Sequence, residues 1–548
     1  MRLAWLILTP LAAAALAGLI GGRNRARWLA ALACLAELGL AVWIILDPGP
    51  RPALPAAFVA ELRWAWVPQI GASFHLAADG VSLLLAALTG LLGFCAVLGS
   101  WREVDRRVGF FHANILLVLA GIVGVFLAAD LLLLFAAWEL MLAPMYFLIS
   151  LYGHENRRYA AMKFLMFTQA GSLLMLPAAA GLYFAHAQAS GQYSFDYFEL
   201  LGTPMSPALS AWLMASLALA FLVKLPAWPL HPWLGDAHTE APTAGSVILA
   251  GLLLKTGAFG LLRFVLPMFP AAVAEWSWLG MMLGAVGVVY GAVLAFAQAD
   301  VKRLVAYTSV SHMGFVLMGI SARNELALQG VVLELVCHGL GTGGLFIVAG
   351  ILQERLHTRQ MGRMGGLWAA MPRLGGSSMV LALAALGLPG LGSFVAEFLI
   401  LAGSWQAYPQ WTIVAATGLV LSAVYALWMI QKTFHGPPRQ DAPKLPDLNL
   451  REGLALGLMI AALFWIGVQP QPLMDLASPA VKALTGNSGA TDTPSLRVRA
   501  GIPEAPAAER TDTANNNDTV SVDPRAATGE TPVVHTAETA VLPGGGHE

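Results

Sequence analysis

Apolar runs of about 20 residues, the length of a helix that crosses a bilayer, recur along this chain up to residue 470. A backbone in hydrocarbon must satisfy its own hydrogen bonds, so runs of this length are helices. Fourteen spans are predicted, near 3–21, 28–46, 81–101, 109–128, 130–152, 161–185, 209–230, 241–266, 276–297, 302–320, 326–352, 374–402, 411–433 and 453–470. The fold class is therefore an all-α membrane protein.

Composition narrows the function. Hydrophobic residues make up 57% and charged residues 11%, where soluble domains carry roughly a quarter charged. A formal net charge of −1 argues against a nucleic-acid partner, which calls for a basic patch. Cys34, Cys95 and Cys337 sit in separate apolar runs. They form no disulfide framework and fall short of the four thiolates an iron–sulfur cluster takes. No P-loop or dinucleotide fingerprint is visible. The expectation is a chain that holds no cofactor and no metal, and does no redox chemistry by itself. Residues 1–22 can be read as a signal peptide, but the apolar run is long for one, and a retained first helix is the better reading.

The loops carry a charge asymmetry. Arg23, Arg25 and Arg27 follow the first span; Arg102, Arg106 and Arg107 the third; Arg157, Arg158 and Lys163 the fifth; Lys302 and Arg303 the ninth. Arg355, Arg359, Arg363 and Arg373 follow the eleventh, and Lys432, Arg439, Lys444 and Arg451 the thirteenth. The opposite loops near 187–208, 268–275 and 404–410 hold no Lys or Arg. Positive loops stay in the cytoplasm, which places both termini outside a bacterial inner membrane. The expected organisation is 1–108 for helices 1–3, 109–266 and 276–433 for two five-helix units, 453–470 for helix 14, and 485–548 as a disordered tail too poor in apolar residues to form a core.

The functional signal is charge inside apolar helices. Such a group costs at least about 2.5–3.5 kcal/mol at mid-bilayer and by default marks an ion path. Glu139 lies in LLLLFAAWELMLAPMYFLI, Lys224 in LALAFLVKLPAWPLHPWL, Lys255 in SVILAGLLLKTGAFGLL and Glu397 in LGLPGLGSFVAEFLIL. The structural alternatives are a protonated carboxyl bonded between helices, or a lysine snorkelling to an interface. Pro226, Pro229 and Pro232 follow Lys224 and break its helix. Broken helices at this depth line a cavity or are buried in protein. His231 and His238 come next, and His312 and His338 lie in later spans; each is a proton relay near neutral pH or a packed, hydrogen-bonded group. Span 12 breaks at Gly387–Gly390, ahead of Glu397. Interrupted spans 7 and 12, five apart, suggest two inverted repeats.

The stretches WELMLAPMYFLISLYGHENRRYAAMKF, FLVKLPAWPLHPWLGDAHTEAPTAGSVILAGLLLKTGAFGL, DVKRLVAYTSVSHMGFVLMGI, ERLHTRQMGRMGGL and LGLPGLGSFVAEFLIL resemble the M-type antiporter-like subunits of respiratory complex I, the proton-translocating NADH:quinone oxidoreductase. The resemblance covers about residues 1–480. It implies that Glu139 pairs with Lys224, that Lys255 is the central lysine, and that Glu397 is the exit residue. It places His231, His238, His312 and His338 on the polar axis between them. It also implies sister antiporter-like subunits as partners in the bilayer, with NADH, FMN, iron–sulfur clusters and quinone held by other subunits. Sister subunits and Mrp-type sodium/proton antiporters typically carry lysine where this chain has Glu397. The long tail and Glu334 depart from the family pattern.

The expected function is proton transfer from the cytoplasm to the outside along Lys224, Lys255, His338 and Glu397, driven by quinone reduction elsewhere. The rivals are an Mrp-type antiporter subunit and a structural scaffold whose buried charges only join helices.

Overall fold

The computed structural model describes residues 1–19, 22–49, 52–437 and 445–486. The tail expected to be disordered lies almost wholly outside the described residues, as do Arg439 and Lys444 of the charge pattern. Thirteen helices are long and apolar enough to cross a membrane. They are α1 (Arg2–Leu19), α2 (Arg23–Leu46), α3 (Gly80–Gly99), α4 (Val108–Leu127), α5 (Leu131–Tyr152), α6 (Arg157–Ser190), α7 (Pro207–Lys224), α9 (Thr243–Met268), α10 (Pro270–Phe296), α11 (Val301–Ala322), α12 (Glu325–Leu356), α15 (Pro409–Phe434) and α16 (Leu450–Val468). The remaining predicted span, 374–402, is two shorter helices, α13 (Pro372–Ala385) and α14 (Gly392–Ala407). The break falls where Gly387 and Gly390 adopt positive φ, a conformation that costs glycine little.

Span 7 also breaks as its prolines require. α7 stops at Lys224, and a separate helix α8 (Pro232–Glu240) starts on Pro232. Proline suits a first helical turn, where its missing N–H has no partner to lose.

Two elements escaped the sequence reading. A hairpin of β1 (Phe58–Val67) and β2 (Ala72–Asp79) links α2 to α3 and pairs antiparallel. It is fixed to the helices by polar contacts: Ser73 N donates to Asp130 Oδ2 at 2.9 Å, and His75 Nδ1 lies 2.6 Å from Asp196 Oδ2. Asp79, at its end, caps α3 by accepting from Ser82 N at 2.8 Å and pairs with Arg263 of α9. The second is α17 (Gln471–Thr485), beyond the last span, packed on α3 and α12.

The interior is built on α3, α4, α9, α11 and α12, whose residues are buried almost throughout. A helix buried on all faces cannot be surrounded by lipid, so these form the centre of the bundle. Four charged candidates belong to this centre or border it.

Candidate functional site

Lys224, Lys255 and Glu397 are 1%, 0% and 3% exposed, so none of them points at acyl tails. Lys224 sits at the C-terminal end of α7. Its Nζ has no hydrogen-bonding partner and lies over the rings of Trp138 and Phe164, at 5.3 and 5.7 Å. A desolvated ammonium gains from aromatic faces, but these replace little of its hydration.

Glu139 does not form an ion pair with Lys224 within the 4 Å that defines one. It is half-buried, and its Oε1 accepts from Ser172 Oγ at 2.6 Å and Gln169 Nε2 at 3.4 Å, both on α6. The expected pairing is therefore indirect: the carboxylate is held by α6, and its field reaches Lys224 through space. A sequence assigns residues to a helix and leaves the facing of each side chain to packing.

Lys255 lies in the middle of α9, where the helix is widened. Leu254 N–H bonds to Leu249 O, five residues back, and Leu249–Leu253 form a π turn. Such turns cluster at functional sites. Lys255 Nζ donates to Ala250 O at 2.5 Å and lies 2.5 Å from His338 Nδ1. Two close crossings fix this position. A Cβ on Gly257 would stand 2.6 Å from Phe221 O, and one on Gly339 would stand 3.0 Å from Gly251 O. Glycine thus lets α9 touch the end of α7 on one side and α12 on the other.

From His338 the polar groups continue. The His338 and His312 rings are 5.3 Å apart. His312 Nδ1 lies 3.2 Å from Glu397 Oε1 and 3.3 Å from Glu334 Oε1. The Glu397 carboxylate rests against the break in span 12, where a Cβ on Gly387 would collide with Oε2. The structure therefore joins Lys255, His338, His312 and Glu397 into one row and adds Glu334. Their ligand atoms at the far end, on His312, Glu334 and Glu397, all lie within 4.8 Å of one another.

His231 and His238 make no hydrogen bond to this row. His231 packs edge-on to Tyr290 at 5.3 Å, and its Nδ1 is unpartnered. His238 is fully buried, stacks on Phe346 at 4.7 Å and has both ring nitrogens unpartnered.

The charge-rich end of the bundle also holds groups that sequence reading treated as ordinary loop charge. Lys302 is fully buried and donates to Ala241 O at 3.0 Å. Lys163 and Arg303 hold the two oxygens of Asp236, at 2.6 and 2.5 Å. Arg359 joins Asp300 and Glu240, at 3.1 and 3.5 Å. Beside them a polar basin of about 1090 Å³ is lined by His154, Arg157, Gln353 and Arg359 among others. In the loop before α6, burial and then the charges of Lys302, Arg359 and Arg157 push the His154 imidazole down to about 3.

Residues 128–422 match the family described as NADH:quinone oxidoreductase/Mrp antiporter, TM, a stretch that contains every candidate above. NADH-quinone oxidoreductase subunit M of Pseudomonas aeruginosa is 49% identical, over 88% of this chain and 97% of its own length. The chain belongs to the NADH-quinone oxidoreductase subunit M family. Subunit M of Escherichia coli K12 is 47% identical, also over 88% of this chain and 97% of its own length. Among solved structures, a chain of respiratory complex I from Thermus thermophilus with bound NADH superposes with a TM-score of 0.81. It is 32% identical and covers 89% of this chain and 99% of that one. A chain of the Mrp complex from a Dietzia species has the same fold, with a TM-score of 0.78 at 20% identity over 89% of this chain and 98% of that one. As a member of the subunit M family, the chain is an antiporter-like part of the membrane arm of complex I, and sister membrane subunits are its partners.

Proposed function

We propose that the chain carries protons from the cytoplasm to the outside along Lys224, Lys255, His338, His312 and Glu397. The observation that carries this reading is the buried row of closely spaced ionisable groups from Lys255 to Glu397. Ionisable groups buried in one file inside a membrane are costly, and by default they mark an ion path. Between Lys224 and Lys255 the lysine-bearing helices touch at Gly257, and the unpartnered nitrogens of Lys224, His231 and His238 are the kind of buried polar atoms that bridging water satisfies.

Glu139 acts as the control. Its charge favours the protonated form of Lys224 when near and releases it when distant. Because Glu139 hangs from Ser172 and Gln169, small movements of α6 change that distance. The expected membrane sidedness follows from the charged loops, with both termini outside. The segments 109–266 and 276–433 act as two inverted repeats, each broken beside its ionisable residue. Redox chemistry, with NADH, FMN, iron–sulfur clusters and quinone, belongs to the other subunits, and quinone reduction there drives the transfer here. Glu397 in place of lysine favours this over an Mrp-type exchange of sodium for protons.

Lys224→Ala, Glu139→Ala and Lys255→Ala are expected to abolish proton pumping in reconstituted complex I with assembly intact, and to slow coupled NADH oxidation. Normal proton flux in a fully assembled Lys224→Ala complex overturns the reading. A scaffold role predicts instead a lower yield with unchanged flux per assembled complex.

A further inference from the structure

Glu334 is the acidic residue in the row for which the family pattern and the path above have no use. It is fully buried on α12, one turn before His338, and neither of its oxygens makes an aligned hydrogen bond. A carboxylate left so in the middle of a bundle is among the most costly groups a fold can carry. Its Oε1 and the Oε1 of Glu397 both approach one atom, His312 Nδ1, at 3.3 and 3.2 Å.

Counting charge along the row shows what a second carboxylate changes. With Lys255 protonated and Glu397 ionised, the row is neutral, and a proton arriving on His312 leaves a net charge of +1 in the membrane. An ionised Glu334 cancels that charge. Lys255 and His312 can then hold protons together, balanced by Glu334 and Glu397.

We propose that Glu334 is a proton-carrying residue, which with Glu397 and His312 forms a loading site at the outer end of the row. A proton on His312 Nδ1 can pass to either carboxylate, leaving a neutral imidazole and one protonated carboxyl; the ionised carboxylate beside it keeps the balance. The groups that act on Glu334 are His312 of α11, Glu397 of α14 and Lys255 of α9, with Cys337 beside it on α12 and Tyr425 from α15. This inference rests on the path proposed above and adds a station to it.

The test is Glu334→Gln in the complete complex, reconstituted in liposomes, with Glu334→Asp alongside. Glutamine keeps the shape and removes the charge. Assembly and NADH oxidation by ferricyanide, which needs no membrane arm, are expected to stay normal. Pumping is expected to fall at least several-fold near neutral pH. It recovers in part in acid, because a single carboxylate now balances the row and His312 loads only at higher proton concentration. The displacement expected is about one pH unit or more, the usual effect of removing an opposite charge at such a distance. Glu334→Asp is expected to restore most of the flux and the original pH profile. Unchanged flux and pH profile in Glu334→Gln, with Lys255→Ala inactive, would overturn the role of Glu334 and leave the path standing. Active Lys255→Ala would instead bring down the path itself. Loss of wild-type pumping on chelation of divalent metal would show that the three groups serve a metal ion, which also overturns it.

Discussion

The ammonium of Lys255 lies 2.5 Å from His338 Nδ1, and the helices that bring them together touch where Gly251 meets Gly339. Two cations at this separation would repel, so at most one of the two partners carries a charge at any moment.

Lys255→Arg tests proton exchange at this position directly. Arginine keeps the charge but does not release its proton. The variant is expected to pump no better than Lys255→Ala, as measured by acidification of reconstituted vesicles. Retained pumping in Lys255→Arg would show that charge alone, and not exchange of a proton, is what this position supplies.

Gly387→Ala places a methyl group where Glu397 Oε2 lies and forces a φ of +72° on an L-residue. The backbone cost alone is about 1–2 kcal/mol. The variant is expected to lower the Tm of the purified complex and to cut pumping more than NADH oxidation, because the carboxylate must leave His312. Normal flux would mean that the Glu397 carboxylate does not need the break.

Asp79→Ala leaves Arg263 without its carboxylate partner and removes the cap of α3. The side chains are 2% and 12% exposed, and opening such a pair costs about 3–5 kcal/mol. Assembly yield and Tm are expected to fall, with flux per assembled complex unchanged. A fall in flux at full assembly would assign this pair to the path.

His154 supplies a pH dependence outside the membrane. Burial, then the charges of Lys302, Arg359 and Arg157, hold its pKa down to about 3. Gln353 Nε2 lies 3.2 Å from Nε2 of the ring, where a neutral imidazole can accept its proton. An unfolded histidine binds a proton below about pH 6.5, and the folded one does not until about 3. Stability from this site is therefore complete above about 6.5 and falls as the pH drops through that window. His154→Gln is expected to flatten the acid side of the Tm profile between these limits. An unchanged profile would place the acid sensitivity elsewhere.

Lys224, Lys255 and Glu397 were legible in the sequence because a charge within an apolar run is costly wherever it faces, and all three prove to be buried. The breaks at Pro226–Pro232 and Gly387–Gly390 were legible for the same kind of reason: proline and glycine act locally. The partners of these groups were not. Glu139 turns to α6, and His312 stands between His338 and Glu397. Helix rotation decides both, and it depends on close crossings such as Gly257 on Phe221 that no single segment specifies. Lys302 and Asp236 were hidden for the opposite reason. They lie among loop charges, where nothing in the sequence separates a buried ion from a hydrated one. The hairpin from Phe58 to Asp79 and the helix Gln471–Thr485 were missed because neither has a membrane-length run to announce it.

The wide turn at Leu249–Leu253 gives α9 some slack. The extra residue in such a turn can migrate along a helix one position at a time, and each step rotates the intervening residue by about 100°. Passing Lys255, it would swing the ammonium off His338 at the cost of about one backbone bond, with no sliding of the whole rod. Amide exchange at Leu249–Phe259 that is identical in resting and turning-over enzyme would exclude this motion.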